Sequence, residues 1–351
     1  MRIKIIGTGS YIPEQITTNE DFLHHSFLNS DGSAFEVKND VIIEKFKSIT
    51  GIEERRYAKE HHTASDLAFF AAEKAIQDAQ IDPESLDYII VGHNFGDVHS
   101  GQLQSDMLPA LAARVKQSLG IKNPKCVAYD IIFGCPGWVE GMIQAQAFIK
   151  AEMAQRCLVI GTETLSRVVD SNDRDSMIFA DGAGAAIVAR SNETGGILSH
   201  ESATYTQDET YYIYSGKSYH QNANNTQYIK MHGRKVYEFA LSHVPKAMKA
   251  CLDNSGKSIK DLKKIFIHQA NEKMDEAIVK RFYRLYREPV PENVLPMSIQ
   301  KLGNSSVATV PTLYDMVLKD QYPEHKLEKG DLIIFASVGA GMNINAITYQ
   351  L

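Results

Sequence analysis

The sequence predicts an α/β protein made of two similar halves, residues 1–193 and 194–351. Three observations carry the prediction: the length of 351 residues, the near-continuous apolar strands, and a repeated order of helix, polar turn and strand. Strands of this kind are buried on both faces, which requires helices on both sides of each sheet. The two halves should therefore pack together, with an active site where equivalent strand ends meet.

The first repeated unit is a helix followed by a strand. Residues 66–94 contain an amphipathic helix, a polar turn and an apolar strand that ends in Gly-His-Asn. Residues 239–271 show the same order and end in the strand KIFIHQAN. The polar, Gly-rich stretch at 190–200 predicts the connection between the halves.

The second repeated unit surrounds a cysteine. Residues 126–132 predict a buried strand and residues 138–150 a helix, with Cys135 at the turn between them. The segment LGNSSVATVPTLYDMVLK (302–319) predicts a similar turn and helix, and the segments 157–164 and 331–341 predict a matching pair of strands.

Two segments lie outside the repeat. Residues 26–40 and 204–228 are polar and rich in turn-forming residues, so both predict long loops. The second contains six tyrosines, which favours a flap packed on the surface or a subunit contact over a platform for stacking bases.

Composition and charge exclude several classes of function. A net charge of -6 argues against nucleic acid and anionic membranes as partners, since both require clustered Lys and Arg. No apolar run has the length of a membrane span, so we expect a cytoplasmic protein. The 4 cysteines show no CxxC spacing, which predicts neither a disulfide framework nor a zinc site. We expect no metal and no cofactor.

Cys135 is the candidate nucleophile. Its position at a Gly-flanked strand-to-helix turn should direct the side chain out of the core. The N-terminus of the following helix should stabilise a thiolate and lower the pKa of the cysteine. His268 and Asn304 lie at corresponding strand ends or turns of the second half. A thiolate, an imidazole and an amide could together attack a thioester and stabilise the charge on its oxygen.

Several motifs in one order resemble the β-ketoacyl-acyl carrier protein synthase III family of condensing enzymes, within the thiolase superfamily. They are IGTGSYIPEQITTNEDF, TGIEERR, the Cys135 turn, DRDSMIFADGAGAAIV, HQAN, LGNSSVATVPTL and SVGAG. The resemblance covers nearly the whole chain and implies a thiolase-like five-layer αβαβα fold built from two duplicated halves. It also implies a homodimer that uses acyl carrier protein or coenzyme A thioesters.

The resemblance implies a decarboxylating Claisen condensation. Cys135 would accept an acyl group, and the backbone N–H groups of Cys135 and Gly339 would form the oxyanion hole. His268 and Asn304 would hold the thioester oxygen of a malonyl extender while enolate charge develops. Such a reaction serves fatty-acid, specialised lipid or polyketide biosynthesis.

The resemblance further implies binding residues for the substrate or carrier, at Arg174, Asn271, Lys273, Leu108 and Ser337. Leu108 stands where an aromatic residue borders the partner's pocket, and Ser337 where an aromatic residue precedes the C-terminal glycines.

Other positions also depart from the family pattern. Lys45 and Ile49 replace residues that clamp adenine, and Glu238 replaces a lysine that helps to dock the carrier. These changes favour a divergent paralogue with a bulkier or carrier-bound acyl donor.

Two alternatives remain open. The same Cys-His-Asn set could hydrolyse or transfer an acyl thioester without condensation. The chain could also be a noncatalytic subunit that pairs with an active homologue. A papain-like protease shares the order of the three residues, but its fold has no internal duplication.

Overall fold

The computed structural model describes residues 2–220 and 225–351. Its helices are α1 (Asn39–Thr50), α2 (Ala64–Ala79), α3 (Leu111–Ser118), α4 (Gly137–Lys150), α5 (Gly233–Asn254), α6 (Glu272–Tyr286), α7 (Ile299–Leu302) and α8 (Thr309–Leu318). Its strands are β1 (Arg2–Tyr11), β2 (Gln15–Thr18), β3 (Glu54–Tyr57), β4 (Tyr88–Gly92), β5 (Val127–Ile131), β6 (Arg156–Thr164), β7 (Asp181–Ser191), β8 (Gly196–Thr204), β9 (Ile213–Lys217), β10 (Gln227–Met231), β11 (Leu262–Ile267), β12 (Leu332–Gly339) and β13 (Asn343–Gln350).

Two large sheets repeat one topology. The first has the order β1-β7-β6-β4-β5 and the second the order β8-β13-β12-β11. In each sheet a parallel pair, β4 with β6 or β11 with β12, adjoins two antiparallel pairings. The first sheet has β5 as an additional strand, parallel to β4. The predicted boundary between residues 193 and 194 falls in the connection from β7 to β8.

The elements form five layers in the order α-β-α-β-α, as the family resemblance implies. Helix α2 covers the outer face of the first sheet and α5, backed by α6, covers the outer face of the second. Helices α4 and α8 lie between the sheets and contact both. Because this middle layer touches apolar strands on either side, α8 is buried along nearly its whole length.

The middle layer approaches the first sheet very closely at Gly161 of β6. A Cβ atom at this position would lie 2.9 Å from the carbonyl carbon of Val307, just before α8. Only glycine permits this contact. It brings the start of α8, and with it a turn of the second half, against the first sheet.

The prediction of a loop for residues 204–228 is partly wrong. Strands β9 and β10 pair antiparallel, from Gln227 opposite Lys217 to Met231 opposite Ile213. Tyrosine and isoleucine favour strands where one face can be covered, which explains the pairing. The rest of this prediction includes residues 221–224, which lie outside the described residues. Residues 26–38 form a loop as predicted, and α1 begins at Asn39.

In the described part of the chain, no helix combines the length and the apolar character that crossing a membrane requires.

Candidate active site

One cavity of about 900 Å³ contains the three predicted catalytic residues, and it lies between the halves of the molecule. Cys135 comes from the first half, whereas His268 and Asn304 come from the second. Most of the other lining side chains are apolar, including Phe35, Phe46, Phe95, Leu165, Phe179, Ile229, Met231 and Val338. The architecture therefore unites residues that are far apart in the sequence.

Cys135 lies in the turn between β5 and α4, as predicted. Gly134 has a positive φ of 69°, which opens the turn, and α4 begins at Gly137. The expected lowering of the cysteine pKa is wrong, because burial raises the pKa of the Cys135 thiol to about 12. Desolvation of the thiolate is the largest cause of this shift, and it outweighs the hydrogen bond from Ser306. The resting side chain is therefore the neutral thiol.

His268 follows β11 and is buried. Its Nδ1 lies 2.8 Å from Oγ1 of Thr309, and this hydroxyl donates its hydrogen to the Ser306 carbonyl at 2.9 Å. Since the hydroxyl has one hydrogen, Nδ1 of His268 must be the donor to Thr309. Nε2 is left with a lone pair. Burial also lowers the pKa of His268 to about 4, so the imidazole is neutral at neutral pH.

Asn304 has one end of its amide fixed. Its Oδ1 accepts the backbone N–H of Ser306 at 2.7 Å, in a turn that precedes α8. This bond forms an Asx turn rather than a helix cap, because the N-cap residue of α8 is Ala308. It also orients the amide so that Nδ2 remains as a donor on the cavity side of the residue.

Gly339, at the end of β12, faces the nucleophile. A Cβ atom on Gly339 would collide with the backbone nitrogen of Cys135 and lie 2.9 Å from its Cβ. The two residues proposed for the oxyanion hole are therefore adjacent, although 204 positions separate them in the sequence.

The predicted binding residues fall into two groups. Arg174 and Asn271 line the cavity, and Asn271 also caps α6 by accepting the N–H of Met274 at 3.0 Å. Lys273 is exposed and Leu108 is 89% exposed, and neither is part of the cavity wall.

Ser337 is fully buried within β12 and lies outside the cavity lining. Its neighbour Val338 lines the cavity instead, because successive side chains of a strand point to opposite faces. The prediction for Ser337 is thus displaced by one residue.

A further contact involves Arg174. Its guanidinium lies over the ring of Phe35, 5.1 Å from the ring centre, and both residues line the cavity. Lys45 and Ile49, which replace the family's clamp residues, line the same cavity. Phe35 belongs to the predicted loop at 26–40, so this loop forms one wall of the site. Sequence spacing could not place a loop residue against Arg174.

The hairpin of β9 and β10 forms another part of the cavity wall. Lys230 of β10 is buried and pairs with Asp170 at 2.7 Å and with Asp173 at 2.9 Å. The Lys230 ammonium lies over the ring of Tyr219, 3.5 Å from the ring centre. Asp173 also caps the short helix that begins at Arg174. The ion pair of Lys230 with Asp173 therefore connects the hairpin to the segment that carries Arg174.

Three polar residues near the nucleophile were missed by sequence reasoning. The Ser306 hydroxyl lies 3.2 Å from Sγ of Cys135, and Asn94 connects this hydroxyl to the buried carboxyl of Glu163. Asn94 and Glu163 lie at the ends of neighbouring parallel strands, β4 and β6. Their positions at strand ends were a usable signal, because parallel strand ends meet at one edge of a sheet.

This duplicated five-layer architecture, with its site between the halves, is the thiolase fold. Residues 129–206 match the family described as 3-oxoacyl-[acyl-carrier-protein] synthase III, and residues 252–351 match its C-terminal domain. The chain belongs to this synthase III family.

Curated relatives and solved structures agree with this assignment. A β-ketoacyl-[acyl-carrier-protein] synthase III from Caldanaerobacter subterraneus is 35% identical, over 96% of this chain and 94% of its own. One from Halalkalibacterium halodurans is 32% identical over 97% and 96%. The crystal structure of the Aquifex aeolicus 3-oxoacyl-[acyl-carrier-protein] synthase III covers 99% of this chain and 100% of its own, with 30% identity and a TM-score of 0.81.

Proposed function

We propose that this protein catalyses the decarboxylating condensation of a Cys135-bound acyl group with a malonyl or related thioester. The observation that carries the proposal is the meeting of Cys135, His268 and Asn304 in one largely apolar cavity. Apolar walls favour the acyl chain and exclude water, which would otherwise hydrolyse the acyl-enzyme.

In the first step Sγ of Cys135 attacks the carbonyl carbon of the acyl thioester. A new S–C bond forms, and the bond to the departing thiol breaks. The thiol proton passes to the lone pair on Nε2 of His268 and from there to the leaving thiolate. The transfer is concerted with the attack, because burial disfavours both a free thiolate and a free imidazolium at this site.

In the second step the malonyl thioester loses carbon dioxide. The electrons of the broken C–C bond form an enolate, whose oxygen accepts the Nδ2–H of Asn304. His268 can be a second donor only as the imidazolium, which burial disfavours, or as the other neutral tautomer, which gives up the bond from Nδ1 to Thr309. Asn304 is therefore the main support of the enolate, and His268 has its larger role in acylation.

In the third step the enolate carbon attacks the acyl carbonyl. The oxygen takes negative charge in the hole formed by the N–H groups of Cys135 and Gly339, and the Cys135 thiolate is then expelled. One proton from solvent returns the cysteine to its neutral form. The product is a β-ketoacyl thioester.

A bulky acyl group is the substrate class that the cavity favours. Its volume of about 900 Å³ and its two apolar walls offer more room than a two-carbon acyl group fills. Arg174 and Phe35 at the same cavity, with exposed Lys273 nearby along α6, suit the phosphate of a coenzyme A or carrier-protein arm. This combination supports a paralogue that serves a specialised lipid or polyketide pathway.

A homodimer is part of the proposal. Strand β5 is an edge strand, and near it lie exposed apolar side chains, of which Leu108 is 89% and Ile132 63% exposed. Unpaired edges with apolar side chains favour association with a second chain. Sedimentation analysis should give twice the chain mass.

Mass spectrometry of the intact protein after incubation with a panel of acyl thioesters tests the function. We expect the mass of the preferred acyl group on Cys135, its loss when a malonyl thioester is added, and neither event in Cys135→Ala. Release of free acid without any need for malonyl thioester would show a hydrolase. Unchanged product formation by Cys135→Ala would refute the mechanism.

A further inference from the structure

One side chain in contact with the nucleophile has no role assigned by the family resemblance. The hydroxyl of Ser306 lies 3.2 Å from Sγ of Cys135, across 171 positions of sequence. Ser306 has a positive φ of 52°, a conformation that costs free energy for any residue with a side chain. Strained residues of this kind cluster at functional sites.

Two backbone contacts hold Ser306 in this conformation. Its N–H donates to Oδ1 of Asn304 at 2.7 Å, and its carbonyl accepts the hydroxyl hydrogen of Thr309 at 2.9 Å. Thr309 in turn accepts from His268. Ser306 is therefore attached to both predicted polar partners of the nucleophile and in contact with the nucleophile itself.

The hydrogen bonds around Ser306 direct its hydroxyl hydrogen toward the sulfur of Cys135. Nδ2 of Asn94 donates one hydrogen to the carboxyl of Glu163 and the other to Oγ of Ser306, at 3.1 Å. In this orientation of the Asn94 amide, Nδ2 faces both oxygens, and the Glu163 carboxyl accepts through its carbonyl oxygen when it is protonated. With one lone pair occupied by Asn94, Ser306 turns its own hydrogen toward the sulfur of Cys135.

We propose that Ser306 is a further catalytic residue, which donates a hydrogen bond to the Cys135 sulfur when that sulfur carries negative charge, and that Asn94 and Glu163 are its positioning residues. The sulfur is charged twice in the proposed reaction, during attack on the acyl thioester and on its expulsion. Ser306 keeps its proton in both steps. The catalytic assignment rests on the proposed function, whereas the contact with the sulfur does not depend on it.

A buried thiolate needs such a donor. The negative charge of Glu163 raises the pKa of the Cys135 thiol, whereas the hydrogen bond from Ser306 lowers it. The effect of Ser306 is the larger of the two. Burial raises the pKa of Glu163 to about 8, so the carboxyl is mostly neutral near pH 7 and its effect on the Cys135 thiol is then small. The other titratable groups around the cavity are His268, Lys45, Arg174, Asp175, Tyr214, Arg234 and Tyr237, and substitutions of Ser306 or Asn94 leave all of them in place.

The rate of alkylation of Cys135 by iodoacetamide, measured from pH 6 to pH 9, tests the inference without any substrate. Below the pKa of a thiol this rate tracks the thiolate fraction. We expect Ser306→Ala to lower the rate by about 10- to 100-fold at every pH, the range for a lost hydrogen bond to a charged group. Peptide mapping identifies which cysteine carries the label. Cys126, Cys157 and Cys251 should react slowly because they are buried.

Two matched variants separate the hydroxyl from the backbone. Ser306→Gly also removes the hydroxyl but relieves the positive φ, so it should slow alkylation as much as Ser306→Ala and should fold if the alanine variant does not. Ser305→Ala removes the neighbouring hydroxyl, which makes no contact with the sulfur, and should react at the wild-type rate. Wild-type reactivity of Ser306→Ala and Ser306→Gly, or a large difference between them, would overturn the assignment.

The role of Asn94 is tested in a double-mutant cycle. Asn94→Leu should slow alkylation about threefold to tenfold alone and have no further effect in Ser306→Ala, because it acts through the hydroxyl. Additive losses would show an independent, structural effect of Asn94. If no thioester acylates the wild-type protein, the proposed function fails, but the alkylation rates still decide whether Ser306 supports the thiolate.

Discussion

The two halves of the molecule share one sheet topology and differ in the segments attached to the ends of corresponding strands. In the first half β5 lies beside β4 and ends at the turn that carries Cys135. In the second half the chain near Val294 lies beside β11, joined by the N–H of Ile265 at 2.8 Å, but continues into the short helix α7. The turn after α7 carries Asn304 and Ser306.

This difference shows how a duplicated scaffold yields one site. Each half contributes polar groups at its strand ends, but only the first contributes a nucleophile. The strained turn at Ser306 belongs to the second half and contacts a residue of the first. Neither half contains the complete site, so catalysis depends on how the halves pack. Substitutions in each half should reveal this dependence. Their expected effects on activity and stability follow from the largest to the smallest.

The largest effect is expected where the halves touch, at Gly339. Gly339→Ala places a methyl group against the backbone nitrogen of Cys135 and should lower condensation about 1,000-fold, since it displaces the nucleophile and closes the oxyanion hole. Steady-state rates measure the loss.

Gly330→Ala is the control for the glycine substitution. Its Cβ would meet open space, although its φ of 99° is unfavourable for alanine. This variant should lose about 1 kcal/mol of stability and keep its activity. Equal activity of the two alanine variants would contradict the proposed contact at Gly339.

The next effect concerns the hairpin that the second half extends over the cavity. Lys230→Met leaves Asp170 and Asp173 buried without their cation, which should lower the free energy of unfolding by about 3–4 kcal/mol. Urea denaturation measures the change. Lys249→Met, which breaks the exposed pair with Asp253, should cost at most about 0.5 kcal/mol. Similar values for both variants would show that the hairpin is not held by Lys230.

A smaller effect should separate the two polar residues of the second half. Asn304→Ala should slow malonyl decarboxylation about 100-fold and acylation less than tenfold, because Asn304 supports the enolate. His268→Ala should slow acylation more than Asn304→Ala does. Release of carbon dioxide and the mass of the acyl-enzyme report the two steps. Equal losses in both steps for both variants would refute this division of roles.

The smallest effect is a dependence of stability on pH. Burial lowers the pKa of His268 from 6.5 to about 4. Above pH 6.5 both folded and unfolded states hold the neutral ring, but below it only the unfolded state binds a proton. Stability should fall by about 2 kcal/mol between pH 6.5 and pH 5 from this residue. His268→Gln should lack this part of the slope in denaturation measured at both pH values.

Sequence patterns predicted the features that depend on neighbouring residues. The strand before Cys135 and the helix after it are explained by apolar periodicity and turn residues, and the observed bounds, Val127–Ile131 and Gly137–Lys150, lie within one residue of those predicted. The resemblance assigned Ser337 to the cavity, whereas Val338 lines it, because the nearly continuous apolar run of β12 does not show which face looks into the cavity.

The sequence by itself determined the two halves, the order of strands and helices, and the three polar residues at strand ends, because periodicity and turn chemistry are local. The tertiary structure alone decided the protonation of Cys135 and His268, since desolvation depends on how both halves bury a side chain. It also decided the contact of Ser306 with the sulfur and of Phe35 with Arg174. These contacts join residues that no local pattern relates.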